Sequence, residues 1–496
     1  MTASLRALLE EGARTAPDRR VVDDLTWAQL HVQAQRVASA LVRDGVGVQE
    51  RVVYLGKNDA RFFPYLFGCA LVGAVPAPLN WRLTPDEIAA MVADCRARVV
   101  FADPDLAGLV RVPHVVSLGQ LEDWLGPAED PGIPAEPDHV AFQLYTSGTT
   151  GRPKGAMFAN GTNLRVLLDN IPAQWGFVAG DVSLLAMPLF HMGGLAWALT
   201  GMVSGARGMV VRDFVPPAVL DTMERERVTT AFCVPAMLAA LCSVAGIDRR
   251  ALELRQMVYS GSPISAAALT TAMKALRCDF VQIYGMTEAT GAFAQLSAAE
   301  HDPAQAEVFR SAGRPYPWVE VRVVGRDGID VPDGETGEIW TRSEQNFVGY
   351  WNRPDETAAA LTADGWLRTG DLGHLDDERR IHLIDRAKDL IITGGENVYP
   401  AQVEEVLHGH PDLAEVAVIG VPDERWGETV RAVVVPRAGA RVDPAEVITF
   451  ARDRLAHFKC PTGVDVADSL PRTATGKVKK AELREPYWRG HDRRIN

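Results

Sequence analysis

The chain is 496 residues long, 47% hydrophobic and 23% charged, with a formal net charge of −13. The length implies about two to four domains, and the composition excludes long disordered stretches. The acidic balance argues against a non-specific nucleic-acid binder, which carries a basic excess, and no nucleic-acid partner is expected.

The first twenty residues interleave charges with apolar residues at helical spacing, so they do not read as a secretory signal. No apolar run reaches the ~18 residues of a spanning helix, and a cytoplasmic enzyme is the expectation. Apolar positions at three- and four-residue steps predict a helix over Trp27 to Gly45. Compact Val-rich or aromatic runs predict strands at Arg51 to Gly56, Ala97 to Ala102, Met209 to Arg212 and Gln256 to Gly261. Strands alternating with helices read as α/β architecture with substantial parallel sheet. The cysteines (Cys69, Cys95, Cys233, Cys242, Cys278, Cys460) form no CxxC pair, which fits reduced core residues and neither a zinc site nor a disulfide framework.

The most informative segment is YTSGTTGRPKGA, Tyr145 to Ala156. Gly148, Gly151 and Gly155 let the backbone turn sharply and approach a ligand. The hydroxyls of Thr146, Ser147, Thr149 and Thr150 and the charge of Lys154 suit phosphate oxygens. The string is not a Walker A loop, because Lys154 stands between Pro153 and Gly155 rather than between Gly and Ser/Thr. Read by composition alone, a flexible surface turn is the lesser alternative. As a whole it resembles the phosphate-binding signature of the adenylate-forming superfamily, which includes acyl- and aryl-CoA synthetases, peptide-synthetase adenylation domains and firefly luciferase.

Further segments resemble that family in the expected order. SGSPIS (Ser260 to Ser265) takes the place of its adenine-contacting turn, with Gly261 retained and Ser262 replacing a small apolar residue. QIYGMTEAT (Gln282 to Thr290) resembles the segment framing adenine and magnesium. The resemblance sets Tyr284 and Gly285 beside adenine, Thr287 on phosphate, and Glu288 on Mg²⁺, a hard cation that takes carboxylate and phosphate oxygens. GWLRTGDLG resembles the ribose clamp, implying Asp371 with Arg386, and Lys388 matches the family hinge. GGENVYPAQVEEVL implies that Gly394 and Gly395 line the passage for the pantetheine arm, with Gln402 where Glu is commoner. PRTATGKVKK implies that Lys477 is the catalytic lysine.

MPLFHMGGL (Met187 to Leu195) resembles the segment bordering the acyl site, implying a role for His191 at the carboxylate or as a gate. No acidic residue occurs from Leu189 to Arg212, which disfavours an amino-acid substrate. Gly193, Gly194, Leu195, Ala196 and Trp197 suit an apolar acid. Arg207 and Arg212 leave a dicarboxylate open, and Asn160 stands where the family often has histidine.

From about Ala312 short alternating strands with RDG and PDGETG turns predict a small antiparallel module, and αβ alternation resumes after Asp385. The resemblance implies an α/β fold. Its large N-terminal domain, residues 1–385, has two doubly wound α/β subdomains plus the small β module. A mobile α+β C-terminal domain, residues 386–496, follows. It implies an acyl-CoA synthetase that joins a fatty or aryl acid to AMP with ATP and Mg²⁺ and then transfers the acyl group to coenzyme A. An enzyme loading a carrier-protein phosphopantetheine and a catalytically inactive nucleotide-binding regulator are the alternatives. Expected partners are the acid, ATP and CoA, with a monomer or homodimer and a lysine acetyltransferase acting on Lys477.

Overall fold

The Val-rich runs become strands and the amphipathic stretches become helices in the computed structural model, which describes residues 4–146, 153–262, 264–473 and 476–489. The first long helix, Trp27–Arg43, starts at a reciprocal capping box. The Thr26 hydroxyl accepts from the Gln29 amide, and the Gln29 side chain accepts from the Thr26 amide.

The strands in chain order are β1 (Arg20–Val22), β2 (Leu25–Thr26), β3 (Arg51–Leu55), β4 (Val75–Leu79), β5 (Val99–Ala102), β6 (His114–Ser117), β7 (Val140–Thr146), β8 (Lys154–Ala159), β9 (Val182–Leu185), β10 (Arg207–Val210), β11 (Thr230–Cys233), β12 (Gln256–Tyr259) and β13 (Asp279–Met286). They continue with β14 (Gly291–Leu296), β15 (Arg314–Pro315), β16 (Glu320–Val324), β17 (Gly337–Arg342), β18 (Gly349–Tyr350), β19 (Trp366–Leu375), β20 (Ile381–Arg386), β21 (Ile391–Thr393), β22 (Glu396–Val398), β23 (Leu413–Asp423), β24 (Gly427–Pro436) and β25 (Gly463–Val466). Three of the predicted strands stand almost where their patterns place them. The remaining one, predicted from Met209, begins two residues earlier, at Arg207, because Gly208 pairs in register with Ser183 and Val22.

The chain divides into two compact units, Met1–Glu320 with Thr341–Leu367, and Val321–Trp340 with Arg368–Asn496. In the first, β4-β3-β5-β6 form an all-parallel sheet. A second sheet has the order β15-β14-β13-β12-β11-β9-β10-β1-β2, parallel from β13 to β1 and antiparallel at both edges. Such interior strands are buried on both faces, and β11 and β12 are accordingly buried at every position. The hairpin β7–β8, with β18 on its outer edge, forms a third small sheet.

In the second unit β16-β17-β19-β20 form the small module, and β22-β21-β24-β23 with β25 form a sheet over a core that includes Val403, Leu407, Val418, Val434 and Val447. The six cysteines are unpaired, as their spacing predicts. Among the described residues no helix is long and apolar enough to cross a membrane.

Candidate active site

The phosphate-loop motif spans the end of a hairpin. Phe142 and Phe158 stack at 4.9 Å in its interior, and its last pairs are Tyr145 with Gly155 and Thr146 with Lys154. Ser147, Gly148, Thr149 and Thr150 lie outside the described residues, so the structure speaks for the two ends of the loop.

Those ends converge on Glu288. Glu288 sits on a single 3₁₀ turn, Thr287–Ala289, that follows β13, and it is only 7% exposed. The Thr146 hydroxyl donates to Glu288 Oε1 at 3.3 Å, and the Tyr350 hydroxyl donates to the same oxygen at 2.8 Å. Lys154 Nζ stands 5.2 Å from the Tyr350 ring centroid. Burial, and then the neighbouring Glu288 charge, push the Tyr350 phenol far above its ordinary pKa, so it stays a proton donor. Sequence reasoning missed Tyr350, because a two-residue strand carries no periodic signal.

Backbone geometry fixes this turn. A Cβ on Gly285 would overlap the Gly291 carbonyl, and Thr290 and Gly291 have φ of 52° and 99°. The Gln345 amide donates to the Ala289 and Ala292 carbonyls at 2.8 and 2.9 Å, and the Phe347 amide donates to the Glu288 carbonyl at 2.7 Å. Gln345 is a second residue that the motifs did not disclose.

Gly261 (φ 98°) and exposed Ser262 follow β12, and Tyr284 and Gly285 end the adjacent β13. Both groups therefore lie at the carboxyl ends of neighbouring parallel strands, where open α/β sheets bind ligands. Tyr284 is buried, edge-on to Phe293 at 4.7 Å.

His191 is the N-cap residue of the helix Met192–Ser204, with its ring 4.6 Å from Phe190. Almost every residue of that helix is buried, so apolar character does not identify a pocket face. Trp197 belongs to the core, 1% exposed, its ring among Trp175, Phe177 and Phe232 and its Nε1 donating to the Leu184 carbonyl. Met192 and Ala196 instead face Gly291, where an added Cβ would find only ordinary contacts at 3.6 and 4.0 Å.

Both arginines that had left a dicarboxylate open are paired with the protein's own carboxylates. Arg207 meets Asp24 and Glu226, and Arg212 meets Asp59 and Asp103 at 3.2 and 3.0 Å. Asn160 is buried and donates to the Glu136 carbonyl, a structural use of that position.

In the second unit Asp371 and Arg386 are cross-strand partners on β19 and β20, with Arg386 Nε 3.3 Å from Asp371 Oδ1. Lys388 lies in a 3₁₀ turn, and burial, then Arg386, lower its ammonium from the ordinary value. Its carbonyl accepts from Arg484, which pairs with buried Asp389 at 2.8 Å.

Gly394 and Gly395 form the two-residue turn of the β21–β22 hairpin, with φ of 58° and 88°. Positive φ at both turn positions is the geometry that Gly-Gly admits without strain. A Cβ on Gly394 would lie 2.7 Å from the Trp426 ring, whereas Gly395 opens on free space. Gln402 accepts from Lys459 at 2.8 Å. Lys477 follows Gly476 (φ 81°), its amide donating to the Thr473 hydroxyl and its carbonyl accepting from the Thr473 amide.

The donor set around Glu288 suits a nucleotide-borne cation. Among the described residues no group of three His, Cys, Asp or Glu side chains could hold a metal ion alone. Mg²⁺ commonly takes one or two carboxylates and completes its shell with phosphate oxygens and water.

The family model for the AMP-binding enzyme matches residues 9–351, and that for the AMP-binding enzyme C-terminal domain matches residues 402–477. The chain is 40% identical to a feruloyl-CoA synthase of Amycolatopsis sp over 474 residues, 93% of this chain and 94% of that one. It is 39% identical to the fatty acid–[acyl-carrier-protein] ligase ScoC of Streptomyces coeruleorubidus over 486 residues, 95% of this chain and 93% of that one. Among solved structures, ATP-bound MatB from Rhodopseudomonas palustris matches with a TM-score of 0.89 and 30% identity, covering 99% of this chain and 100% of that one.

Proposed function

Since this chain belongs to the AMP-binding enzyme family and is an AMP-forming acid–thiol ligase, we propose that it uses ATP and CoA to activate a fatty or aryl acid and that the residues described above carry the two half-reactions. The convergence of Thr146, Tyr350 and, through the Tyr350 ring, Lys154 on the Glu288 carboxylate supports this reading.

Adenylation must bring a carboxylate to the α-phosphorus of a polyanion. The loop hydroxyls of Thr146, Ser147, Thr149 and Thr150, the amide of Gly148 and the ammonium of Lys154 hold the β- and γ-phosphates. Glu288 would hold Mg²⁺, which neutralises polyphosphate charge when bound. Gly261, Ser262, Tyr284 and Gly285 bound the adenine, Thr287 contacts phosphate, and Asp371 with Arg386 takes the ribose hydroxyls. Lys477 steadies charge at the α-phosphate while a carboxylate oxygen bonds to phosphorus and the bond to pyrophosphate breaks. His191 borders the carboxylate, and the acyl tail runs toward Met192, Ala196 and Gly291.

In the second half-reaction the CoA thiolate attacks the acyl carbonyl and AMP leaves. Residues 386–496 turn about Lys388 between the two steps, exchanging Lys477 for the Gly394–Gly395 turn. Acetylation of Lys477 would remove the charge that the first step needs.

A carrier-protein thiol is the second reading, favoured by the similarity to the carrier-protein ligase. The test is a panel of fatty, cinnamic and benzoic acids assayed for AMP release with free CoA and with a phosphopantetheinylated carrier protein. AMP release that needs CoA supports the first reading. Release that needs the carrier supports the second, and no AMP with any acid and either thiol overturns both.

A further inference from the structure

Behind the phosphate hairpin lies a cation that the mechanism does not use. Arg51, at the start of β3, is only 5% exposed. Its guanidinium donates to Gln143 Oε1 at 3.1 Å and to the Gln49 carbonyl at 2.7 Å, approaches Met157 Sδ at 3.4 Å, and lies flat on the Trp351 ring with Cζ 3.4 Å from the centroid. These partners are all neutral, and among the described residues no carboxylate forms an ion pair with it. Burial lowers its pKa from the ordinary value, yet an arginine remains charged in a protein.

A buried charge without a counter-ion costs several kcal/mol, roughly, and structural arginines are normally paired. A stack on tryptophan offsets only part of that cost. The carboxylate of Asp94, a residue whose carbonyl accepts from the Trp351 indole, is already occupied. Arg353 pairs with it at 3.1 Å, and the Tyr145 hydroxyl donates to it at 2.6 Å.

Two of the groups that Arg51 touches, Trp351 and Gln143, are built into the base of the phosphate hairpin. The Trp351 amide donates to the Gly155 carbonyl at 2.8 Å, while its indole nitrogen donates to the Asp94 carbonyl at 3.0 Å. Gln143 is fully buried, and its amide nitrogen has no hydrogen-bond partner among the described residues. That nitrogen abuts Gly155 so closely that a Cβ there would overlap it.

We propose that Arg51 is a positioning residue for the nucleotide phosphates: its buried charge sets a positive potential beneath the hairpin that carries Thr146 and Lys154, and its stack on Trp351 fixes the backbone at Gly155. The inference rests on the reading that this loop holds the ATP polyphosphate. The bound phosphates then supply the negative charge that the protein withholds from Arg51, at an interior dielectric where charges act over longer distances than in water.

The test is calorimetric binding of ATP, AMP and adenosine to the full chain, in chelator so that ligand charge falls stepwise along the series. Wild type is compared with Arg51→Met, Arg51→Lys and Lys154→Met. Arg51→Met should weaken ATP about tenfold, weaken AMP less and leave adenosine unchanged, while Arg51→Lys restores most of the loss. Equal losses for all three ligands, or none, overturn the inference. A charge-graded loss for Lys154→Met without one for Arg51→Met overturns it while keeping the loop as the phosphate site. No graded loss in either variant overturns that site as well. If circular dichroism shows Arg51→Met to be unfolded, Arg51→Gln, which keeps a donor for Gln143, is read in the same way.

Discussion

Tyr350→Phe removes one oxygen atom from the site and leaves its ring in place. That oxygen donates to Glu288 at 2.8 Å, inside a site where the carboxylate is 7% exposed. A hydrogen bond to a buried charged group contributes about 1.5–3 kcal/mol, which corresponds to roughly a 10- to 150-fold change in a rate or binding constant. Thr146 still donates to the same oxygen, at the longer 3.3 Å, so the lower half of that range is expected. Acid-dependent pyrophosphate–ATP exchange should fall about tenfold or somewhat more, with a matching rise in the Mg²⁺ concentration for half-maximal rate. The phenyl ring keeps its edge contact with Phe347 at 4.7 Å, so the melting temperature should fall by no more than the few degrees that the lost hydrogen bond costs. An unchanged Mg²⁺ dependence, with exchange at the wild-type rate, would refute the reasoning that Tyr350 orients Glu288 and that Glu288 holds the metal.

Lys477→Ala should abolish acyl-AMP formation yet spare thioester formation from supplied acyl-AMP, measured in separate half-reaction assays. Homogeneously acetylated Lys477 should behave likewise, and full overall activity of that protein would remove the charge from the mechanism. Gly394→Ala sets a Cβ 2.7 Å from the Trp426 ring in a backbone with φ of 58°, so the thioester step should slow while pyrophosphate exchange continues. Equal slowing of both steps would contradict the assignment of that turn. Buried His301, against Tyr259, Phe280 and Phe309 with Glu300 beside it, has a pKa held below its ordinary 6.5, chiefly by burial. The unfolded chain therefore binds the proton more readily. Stability present above about pH 6.5 is lost on acidification, and His301→Phe should flatten the fall of melting temperature below that pH.

The family was legible in the sequence wherever one residue type at one spacing has few structural uses. The hydroxyl–glycine loop, the TE pair at Glu288 and the TGK turn at Lys477 are of this kind. The strands of the parallel sheets were legible because fully buried strands are short Val-rich runs. Partners that depend on register were not. The facing of Asp371 by Arg386 requires knowing how β19 and β20 pair, and the reach of Tyr350 requires β18 to lie on β8. The helix Met192–Ser204 is apolar on all sides, so its sequence could not assign Trp197 to the core and Met192 with Ala196 to the side facing Gly291. Arg51 gave no signal, since an arginine before a Val-rich run is ordinarily a solvated strand end.

The central claim is that a carboxylic acid displaces pyrophosphate from ATP and stays on AMP until a thiol arrives. Mass spectrometry of the purified chain with ATP, Mg²⁺ and an accepted acid, before and after CoA, measures this directly. Acyl-AMP with equimolar pyrophosphate, discharged to acyl-CoA and AMP on adding CoA, is the expected result. Release of ADP and phosphate, or no pyrophosphate with any acid, would contradict the account.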